Sequence, residues 1–592
     1  MDWNGPRRAM RKGRPYGGRV VGDADPYGFC RYAFVIGRRA KYMKIYHAIK
    51  GAFYMNHMKR IAALLLALCL CCGMLCSCGE EEPEAERLTF RAALSGVPDT
   101  LDPAMVTTAT EKTVDMHLFE NLMKLTSEGV VCGQAKSYTC TDNEDGTQTY
   151  IFTLRDNIYW SDGRPVTAED YAFAWTRLLD PELDSPNAEL LDTVMGYSQA
   201  VEGDLNALQV WADEAGQLVV VLKEADPYFL RTVCTAVATM PVRSDTVEKD
   251  KWSLHKGTLL TNGAFGLRQW ADNKMTLVKM ADYYDAKRPG PEQIQITFTD
   301  TEAEAKKLYD DQQVDFAMGA DHAEDATEVT LPAVSVLIVN QMASTLGKES
   351  VRQAMSLAID RNAIAEELGV NYVAADGIVP GGIRTMAGAS FREANGPVVD
   401  NNPENAEANL AAAREDMQRA GYSTGTGDSG KPLPPITLLF ESSPANVRTA
   451  SLLQTQWKER LNIDVTLQSV AADQIRDTLR VGEFTMALLT VTTDRNDASS
   501  FLRAWESTDS RNYGQYYSSA YEMLLDVAAK SDSVEAHDAY LEDAERLLVE
   551  SGYAMPIYMK TNSYALRGNM LGFYGDGLGA YCFTGITAGL TA

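Results

Sequence analysis

FTLRDNIYWSDGRPVTAED, residues 152–170, joins a predicted strand, a turn and the start of a helix. Residues Tyr150–Leu154 alternate in polarity, which is typical of a half-buried strand. A turn follows at Trp160–Gly163. Thr167 is predicted to begin the helix, because its hydroxyl can accept a backbone N–H and the two acids after Ala168 favour the positive helix end. Apolar residues then recur at helical spacing: Tyr171, Ala174, Trp175, Leu178 and Leu179.

The C-terminal half of the chain alternates predicted helices with predicted strands. Glu404–Ala420 is a predicted helix, and Gly421 is a natural C-terminal stop for it. Strands that alternate with helices indicate a parallel sheet, so the predicted fold class is α/β. The other helices are expected at 351–359 and 450–461, and the strands at 436–440, 463–467 and 484–491.

The charge is divided unevenly along the chain. The 592 residues carry a net charge of -26, but residues 1–57 alone hold 12 basic and 3 acidic side chains. From Cys78 onward there are 41 basic and 78 acidic residues, a net charge of -37. Such an acidic body does not suit nucleic acid or an anionic lipid surface as a partner.

An export signal is predicted at residues 58–77. Two cations precede the apolar run Ile61–Leu75, and the run ends in Leu-Cys-Ser-Cys. A cysteine directly after the cleavage point resembles the bacterial lipoprotein signal, in which the thiol of Cys78 would take a diacylglyceryl group. The alternative is a transmembrane helix, but the run is short for a span and an acidic tether (79–87) follows it. Residues 1–57 are expected to be a spurious or disordered basic extension.

Four cysteines lie in the predicted folded body. Cys132 and Cys140 are eight residues apart and could form a disulfide, and free thiols at each position are the alternative. Cys234 and Cys582 are the other two. The lipid anchor would place this body on the outer face of the bacterial cytoplasmic membrane, or on its periplasmic side in a Gram-negative cell.

Seven segments resemble those of a known family, and they follow one another along the chain in the family's order. The body, from residue 88 onward, resembles the peptide/nickel class of extracellular solute-binding proteins that serve ABC importers, most closely the oligopeptide binders. The segments are Asp99–Pro103, Leu118–Leu122, Phe152–Asp170, Thr261–Phe265, Val351–Arg361, Trp457–Ile463 and Met555–Tyr558.

The resemblance implies a two-lobed, type II periplasmic-binding-protein-like fold. Lobe I would comprise 88–342 and the return from 560 to 592, with a mostly antiparallel subdomain (about 120–243) inserted in it. Lobe II would comprise 343–559. Two crossing strands would join the lobes, and the ligand would be enclosed between them by hinge closure.

A binder of many peptides must use the groups that all peptides share, including the α-ammonium, whose burial requires a carboxylate. In the oligopeptide binders an Asp before a Phe-Leu pair supplies it, and the resemblance places this role at Asp494. Asp497 is the competing candidate, and a solvated loop Asp is the other interpretation. The family's Trp three residues before the Asp is Val491 here, and the Pro that often follows is Ala498, which leaves the ligand class open.

Other family positions differ from the pattern. The acid that follows Leu-Asp-Pro in some oligopeptide binders is Thr107 here, and the Arg a few residues before the Asp is Leu488. A carboxylate clamp is therefore not present at those positions. Arg480 could substitute, although a helix-end cation is the alternative. Tyr513 belongs to a Tyr-rich loop with Tyr516 and Tyr517; it is a candidate to face the cleft, and a surface loop is the alternative. Trp160, Trp175 and Trp457 are expected to pack inside the protein.

The predicted function is a monomeric, non-enzymatic receptor that captures peptides and delivers them to an ABC permease. One alternative keeps the fold with another cargo, such as a nickel chelate, haem or a sugar; a second is a transport-independent signalling or adhesion lipoprotein. An exported hydrolase is a third, but the chain has no His-Glu-x-x-His motif. No cofactor or metal is expected, because the body histidines are not spaced as ligands: His117, His255, His322 and His537.

Overall fold

An 11-stranded sheet forms the backbone of the protein. The structure, a computed structural model, describes residues 88–126, 129–249, 251–320, 323, 325–386, 388–425, 430–493, 495–531, 533–568 and 570–588. The strands are β1 (Thr89–Ser95), β2 (Met123–Thr126), β3 (Gly129–Cys132), β4 (Ala135–Asp142), β5 (Gln148–Leu154), β6 (Val210–Ala212), β7 (Leu218–Leu222), β8 (Phe265–Ala271), β9 (Lys274–Lys279), β10 (Gln293–Thr299), β11 (Phe316–Met318), β12 (Ala326–Val339), β13 (Tyr372–Ala374), β14 (Ile436–Glu441), β15 (Val465–Val470), β16 (Met486–Thr492), β17 (Ala554–Leu566), β18 (Met570–Leu571), β19 (Tyr574–Gly575), β20 (Tyr581–Cys582) and β21 (Thr587–Ala588).

The helices pack around this sheet, and none of them in the described part of the chain is both long and apolar enough to cross a membrane. They are α1 (Ala109–Leu118), α2 (Ala168–Leu178), α3 (Tyr197–Val201), α4 (Phe229–Thr232), α5 (Ser244–Val247), α6 (Glu302–Asp310), α7 (Glu349–Leu357), α8 (Arg361–Leu368), α9 (Phe391–Asn395), α10 (Ala406–Arg419), α11 (Pro444–Leu461), α12 (Ile475–Val481), α13 (Ser499–Leu502), α14 (Ser519–Ala529) and α15 (Val534–Glu550).

Strands β12 and β17 cross from one half of the sheet to the other. The strand order is β15-β14-β16-β12-β17-β11-β1-β10-β9-β8, so this antiparallel pair stands between the two halves. Residues Ala326–Thr330 pair with β17 near its C-terminal end, and Val334–Ile338 pair with it near its N-terminal end. The ladder is interrupted between Thr330 and Val334, a gap that contains Pro332, which has no N–H to donate. The interruption gives the two halves a place to bend relative to each other.

The half of the sheet that contains β14, β15 and β16 is covered on both faces. Alternate residues of β12 belong to two different apolar clusters: Val334, Val336 and Ile338 to one, and Leu337 and Val339 to the other. Strand β14 is parallel to both β15 and β16, as the alternation of helices and strands predicts. A parallel sheet buried on both faces is the arrangement expected of an α/β lobe. This half is lobe II.

Lobe I contains the other half of the sheet and a separate four-stranded antiparallel sheet, ordered β4-β5-β7-β6. The rings of Tyr150 and Phe152 on β5 pack against Phe229, and Trp175 of α2 meets Phe229 edge-on at 6.2 Å between centroids. The predicted α/β class with two lobes and an inserted subdomain is confirmed. The lobe boundaries at 342/343 and 559/560 stay a prediction.

The opening segment folds as the sequence predicts. Helix α2 follows Thr167, whose backbone N–H donates to the Asp170 carboxylate at 3.0 Å. The same carboxylate accepts the indole N–H of Trp160 at 3.1 Å. One acid therefore fixes both the turn and the first turn of the helix. Trp160, Trp175 and Trp457 are all buried, as expected of packing residues.

His117 joins helix α1 to the C-terminal segment of lobe I. Its Nδ1 lies 2.6 Å from the Thr113 carbonyl oxygen, and its Nε2 accepts the backbone N–H of Phe583 at 2.8 Å. This pair of bonds requires the neutral ring with its proton on Nδ1. Burial lowers the pKa of His117 to about 4, partly offset by the bond to Thr113.

Protonation of His117 should destabilise the fold. Its folded pKa of about 4 lies below the usual 6.5, so its contribution is complete above pH 6.5 and is lost as the pH falls through 4. The shift corresponds to at most about 3 kcal/mol. We expect the free energy of unfolding to fall less steeply between pH 6.5 and 4 in His117→Gln than in the parent protein, as followed by urea titrations. The matched control is His255→Gln, at an exposed position. Equal slopes for the parent and His117→Gln would contradict this assignment.

Candidate functional site

A cavity lies within lobe I, at its border with lobe II. It holds about 1230 Å³ of empty space, part of which is open to solvent. Its wall comes from the end of α1, from β2, from the turns after α4, from the start of β8 and from the C-terminal segment 574–584. Among the described residues of 343–559, Asn496 is the one that lines the cavity. The cavity therefore has the position of a ligand site that the second lobe could close.

Part of the cavity wall is apolar, and the carboxylate of Glu120 lies in the same wall. Met116, Phe119, Met123, Met240 and Phe265 line it. Unbranched methionine side chains adapt to ligands of different shape. This surface favours a ligand with a bulky apolar part.

Glu120 is the carboxylate in that wall. The hydroxyls of Tyr283 and Tyr284 both donate to its oxygens, and Lys124 forms an ion pair with it at 3.8 Å. Burial, reinforced by the charge of Glu120, raises the pKa of Tyr283 well above its ordinary value. Because these three partners occupy the Glu120 carboxylate, its contacts are within the protein.

Asn496 connects the loop after β16 to the C-terminal segment of lobe I. Its Oδ1 accepts the backbone N–H of Arg384 at 2.9 Å, and its Nδ2 donates to the Asp576 carbonyl oxygen. The next residue, Gly577, has a φ of +78°, and a Cβ there would lie 2.1 Å from the Asn496 amide nitrogen. Only glycine allows this approach.

Charged side chains connect the two lobes beside the cavity. Arg495 of lobe II donates to the carbonyl oxygens of Glu189 and Leu190 at 3.1 and 3.0 Å and pairs with the Asp192 carboxylate. Asp226 lies nearby, where burial raises its pKa against the lowering effect of Arg495. These contacts hold the loop after β16 against the inserted subdomain.

A second set of contacts between the lobes involves Tyr228 and Arg231. The Tyr228 hydroxyl lies 2.8 Å from Nε2 of His537, whose Nδ1 lies 2.7 Å from the Ala528 carbonyl oxygen. Arg231 Nη1 donates to the Thr385 carbonyl oxygen at 2.9 Å. Arg231 also lines the cavity, so the same side chain contacts both lobe II and the ligand space.

The backbone edge of β16 is partly unpaired in the residues that precede the loop of Asn496. Leu489–Thr492 pair with β12 on one side, whereas the pairing with β14 on the other side ends at Leu488. In the described part of the chain no strand occupies the β14 side of these four residues. Thr490 and Thr492 are exposed. An extended chain could therefore pair with this edge.

Asp494, the predicted α-ammonium ligand, lies outside the described residues, although Thr493 and Arg495 on either side are described. Its competitor Asp497 is buried and accepts from the Ser499 hydroxyl at 2.6 Å and from the Ser500 backbone N–H at 2.7 Å. These local bonds give Asp497 a structural role at the start of α13. The role predicted for Asp494 stays a prediction.

The structure does not bring Arg480 or Tyr513 to the cavity wall. Arg480 lies in the last turn of α12 and pairs with Asp477 at 3.1 Å, with 61% of its side chain exposed. Tyr513 packs against the lobe II cluster that contains Tyr516. The ligand-binding roles considered for Arg480 and Tyr513 stay predictions.

The remaining sequence candidates are placed as follows. Leu488 is fully buried in lobe II, and the backbone N–H of Thr107 donates to Glu111 at 3.0 Å, so neither provides a carboxylate clamp. Cys132 and Cys140 are free in the structure and lie in different sheets, so the disulfide considered from the sequence is not formed there. Cys78 lies outside the described residues. No cluster of metal-ligating side chains occurs among the residues that the structure describes.

Sequence reasoning missed three residues of this site. Glu120 lies in the quoted segment Leu118–Leu122 and Asn496 in the loop with Asp494, so position in those segments was an available signal. No sequence signal indicated Arg231, because its neighbours in the sequence form no motif. Its importance comes from the tertiary contact with Thr385.

Comparison with known proteins agrees with this architecture. Residues 129–513 match the family model described as "Bacterial extracellular solute-binding proteins, family 5 Middle". The chain belongs to this family. Family 5 proteins bind a solute outside the cytoplasm, which fits a cavity at the border of two lobes.

Several curated relatives cover most of both chains. The probable deoxycholate-binding periplasmic protein YgiS of Escherichia coli K12 is 28% identical over 508 residues, 83% of this chain and 91% of that protein. The periplasmic murein peptide-binding protein MppA of the same strain is 28% identical over 529 residues, 85% and 95% of the two chains. The periplasmic oligopeptide-binding protein OppA of that strain is 27% identical over 513 residues, 83% and 90%.

Solved structures show the same type II fold. The unliganded open form of MppA superposes with a TM-score of 0.70 at 27% identity, covering 84% of this chain and 95% of that one. A second structure of the E. coli protein gives a TM-score of 0.59 at 26% identity, covering 84% and 96%. Of these two structures, the open, unliganded one superposes with the higher TM-score.

Proposed function

We propose that this family 5 protein captures peptides outside the cytoplasm and delivers them to an ABC permease, without bond chemistry of its own. The observation that carries the proposal is the free backbone edge of Leu489–Thr492, which ends two residues before Asp494. A peptide main chain could extend the sheet at this edge, while Asp494 receives its α-ammonium. Relatives named for murein peptides and oligopeptides support this cargo.

The two-lobed architecture supplies a mechanism of capture. The interrupted β12/β17 ladder allows lobe II to move as a body, and Asn496 carries that movement to the cavity. Closure would exclude water from the ligand and strengthen the charge contacts that hold it. A permease could then distinguish closed, loaded protein from open, empty protein.

A second candidate cargo is an amphipathic carboxylate such as a bile acid. The apolar wall of Met116, Phe119 and Met240 favours it, and one relative is named as a probable deoxycholate-binding protein. The peptide proposal is preferred because an apolar, rigid cargo would leave the backbone edge of β16 unused.

Peptides should co-purify with the protein. We expect mass spectrometry of the material released by mild denaturation of the full chain to show short peptides. Release of a bile acid, or of a nickel chelate or haem, would replace the peptide proposal with the corresponding solute. Protein that carries no solute and binds none of a mixed peptide library would contradict it.

Asp494→Asn should weaken peptide binding by about 2–3 kcal/mol, because a buried ammonium would lose its charged partner. Isothermal titration calorimetry with a co-purified peptide measures this change. The matched variant is Asp497→Asn, which should lower the unfolding midpoint and leave the affinity unchanged, since Asp497 bonds to Ser499 and Ser500. The reverse pattern would move the ammonium site to Asp497.

The membrane attachment is also part of the proposal. The signal at 58–77 would be cleaved, and the acylated Cys78 would hold a monomeric receptor at the membrane surface. We expect a clickable palmitate analogue to label the parent chain in bacterial cells and not Cys78→Ala. Equal labelling of the two chains would exclude Cys78 as the anchor.

A further inference from the structure

The guanidinium of Arg231 is incompletely satisfied inside the cavity. Its Nη1 donates to the Thr385 carbonyl oxygen at 2.9 Å. Among the described residues, the Arg231 side chain makes no other hydrogen bond. Its Nε is buried without an acceptor among those residues. A buried donor without a partner is costly, so it marks a place where a ligand could supply the acceptor.

Nearby charges do not neutralise this guanidinium. Asp497 and Asp538 are close enough to favour its charged form, but neither forms an ion pair with it. Both acids have other partners: Asp497 accepts from Ser499 and Ser500, and Asp538 accepts the backbone N–H of Met386 at 3.0 Å. Burial lowers the pKa of Arg231, against the effect of these acids.

The charge of the cavity wall is opposite to that of the whole chain. Five cations line it, together with three carboxylates, in a chain whose net charge is -26. Of the carboxylates, Glu120 is held by Tyr283 and Tyr284. Asp576 accepts the backbone N–H groups of Leu578 and Ala580 at 2.7 and 2.9 Å. Two of the five cations are likewise paired, Lys124 with Glu120 and Lys279 with Glu292. The formal excess of cations in the wall still favours an anionic group in the ligand.

We propose that Arg231 binds a carboxylate of the cargo, and that the cargo carries a bulky apolar group beside that carboxylate. This inference rests on the proposed solute-binding function and names the chemistry of its ligand. The Nε–Nη2 edge of the guanidinium can donate two parallel hydrogen bonds to a carboxylate. The apolar group would occupy the wall formed by Met116, Phe119 and Met240.

This assignment supplies what the family positions lack. Thr107 and Leu488 cannot clamp a carboxylate, whereas Arg231 approaches the cavity from the inserted subdomain. Because Nη1 already contacts Thr385 of lobe II, a carboxylate on the other edge would bridge cargo and both lobes. Carboxylate binding and lobe closure would then strengthen each other.

The test compares a carboxylate with its neutral counterpart. The probes are Leu-Leu-Leu with a free C-terminal carboxylate, the same peptide as its C-terminal amide, and deoxycholate, titrated calorimetrically into the full chain. We expect the parent protein to prefer the acid over the amide by about 10- to 100-fold, the effect of a charge-assisted bidentate contact. In Arg231→Gln the acid and the amide should bind alike, and Arg231→Lys should be intermediate.

The matched control is Arg384→Gln. Arg384 is exposed and close to Arg231, and its side chain forms no ion pair among the described residues. This variant should keep the preference for the acid. Circular dichroism and unfolding midpoints establish that each variant is folded.

The outcomes separate this inference from the proposed function. An undiminished preference for the acid in Arg231→Gln, or no preference in the parent, overturns the role of Arg231 while peptide binding stands. If the parent protein binds neither tri-leucine nor deoxycholate, the proposed apolar carboxylate cargo is wrong, even where other peptides co-purify. Binding of deoxycholate alone, lost in Arg231→Gln, supports Arg231 and removes the peptide proposal.

Discussion

The interruption of one β-ladder governs the behaviour of the whole molecule. Strands β12 and β17 hold the two halves of the sheet together by backbone hydrogen bonds, except between Thr330 and Val334. Because each lobe has its own apolar core on either side of this gap, a bend there leaves both cores intact. A bend at this gap would therefore involve few residues.

The side chains that respond to such a bend are polar. Three polar contacts join the lobes: Arg495 with Asp192, Tyr228 with His537, and Arg231 with the Thr385 carbonyl. The cavity wall, in contrast, includes an apolar part formed by Met116, Phe119 and Met240. Polar contacts between lobes depend on direction and distance, so a small change of angle breaks them. Apolar packing tolerates a ligand of variable shape. The division suits a receptor that must close firmly on cargo of many kinds.

Much of the fold could be predicted because local signals agree with the tertiary structure. The strand–turn–helix at 152–170 carries its own cap in Thr167 and Asp170, and β14 and α11 follow from hydrophobic periodicity. The site was less accessible to such reasoning. Arg231 contacts a lobe II carbonyl that is more than 150 positions away in the sequence. Glu120 contacts two tyrosines that are similarly distant. Sequence patterns report neighbours along the chain, and a cavity is made of neighbours in space.

The bond between His117 and the Phe583 backbone spans 466 positions. Strand β1 also stands between β10 and β11, and segment 574–584 closes the cavity wall. Lobe I thus has no finished core until the last part of the polypeptide has been synthesised. In a nascent chain the two partners of this contact would therefore meet only after nearly the whole polypeptide has been made.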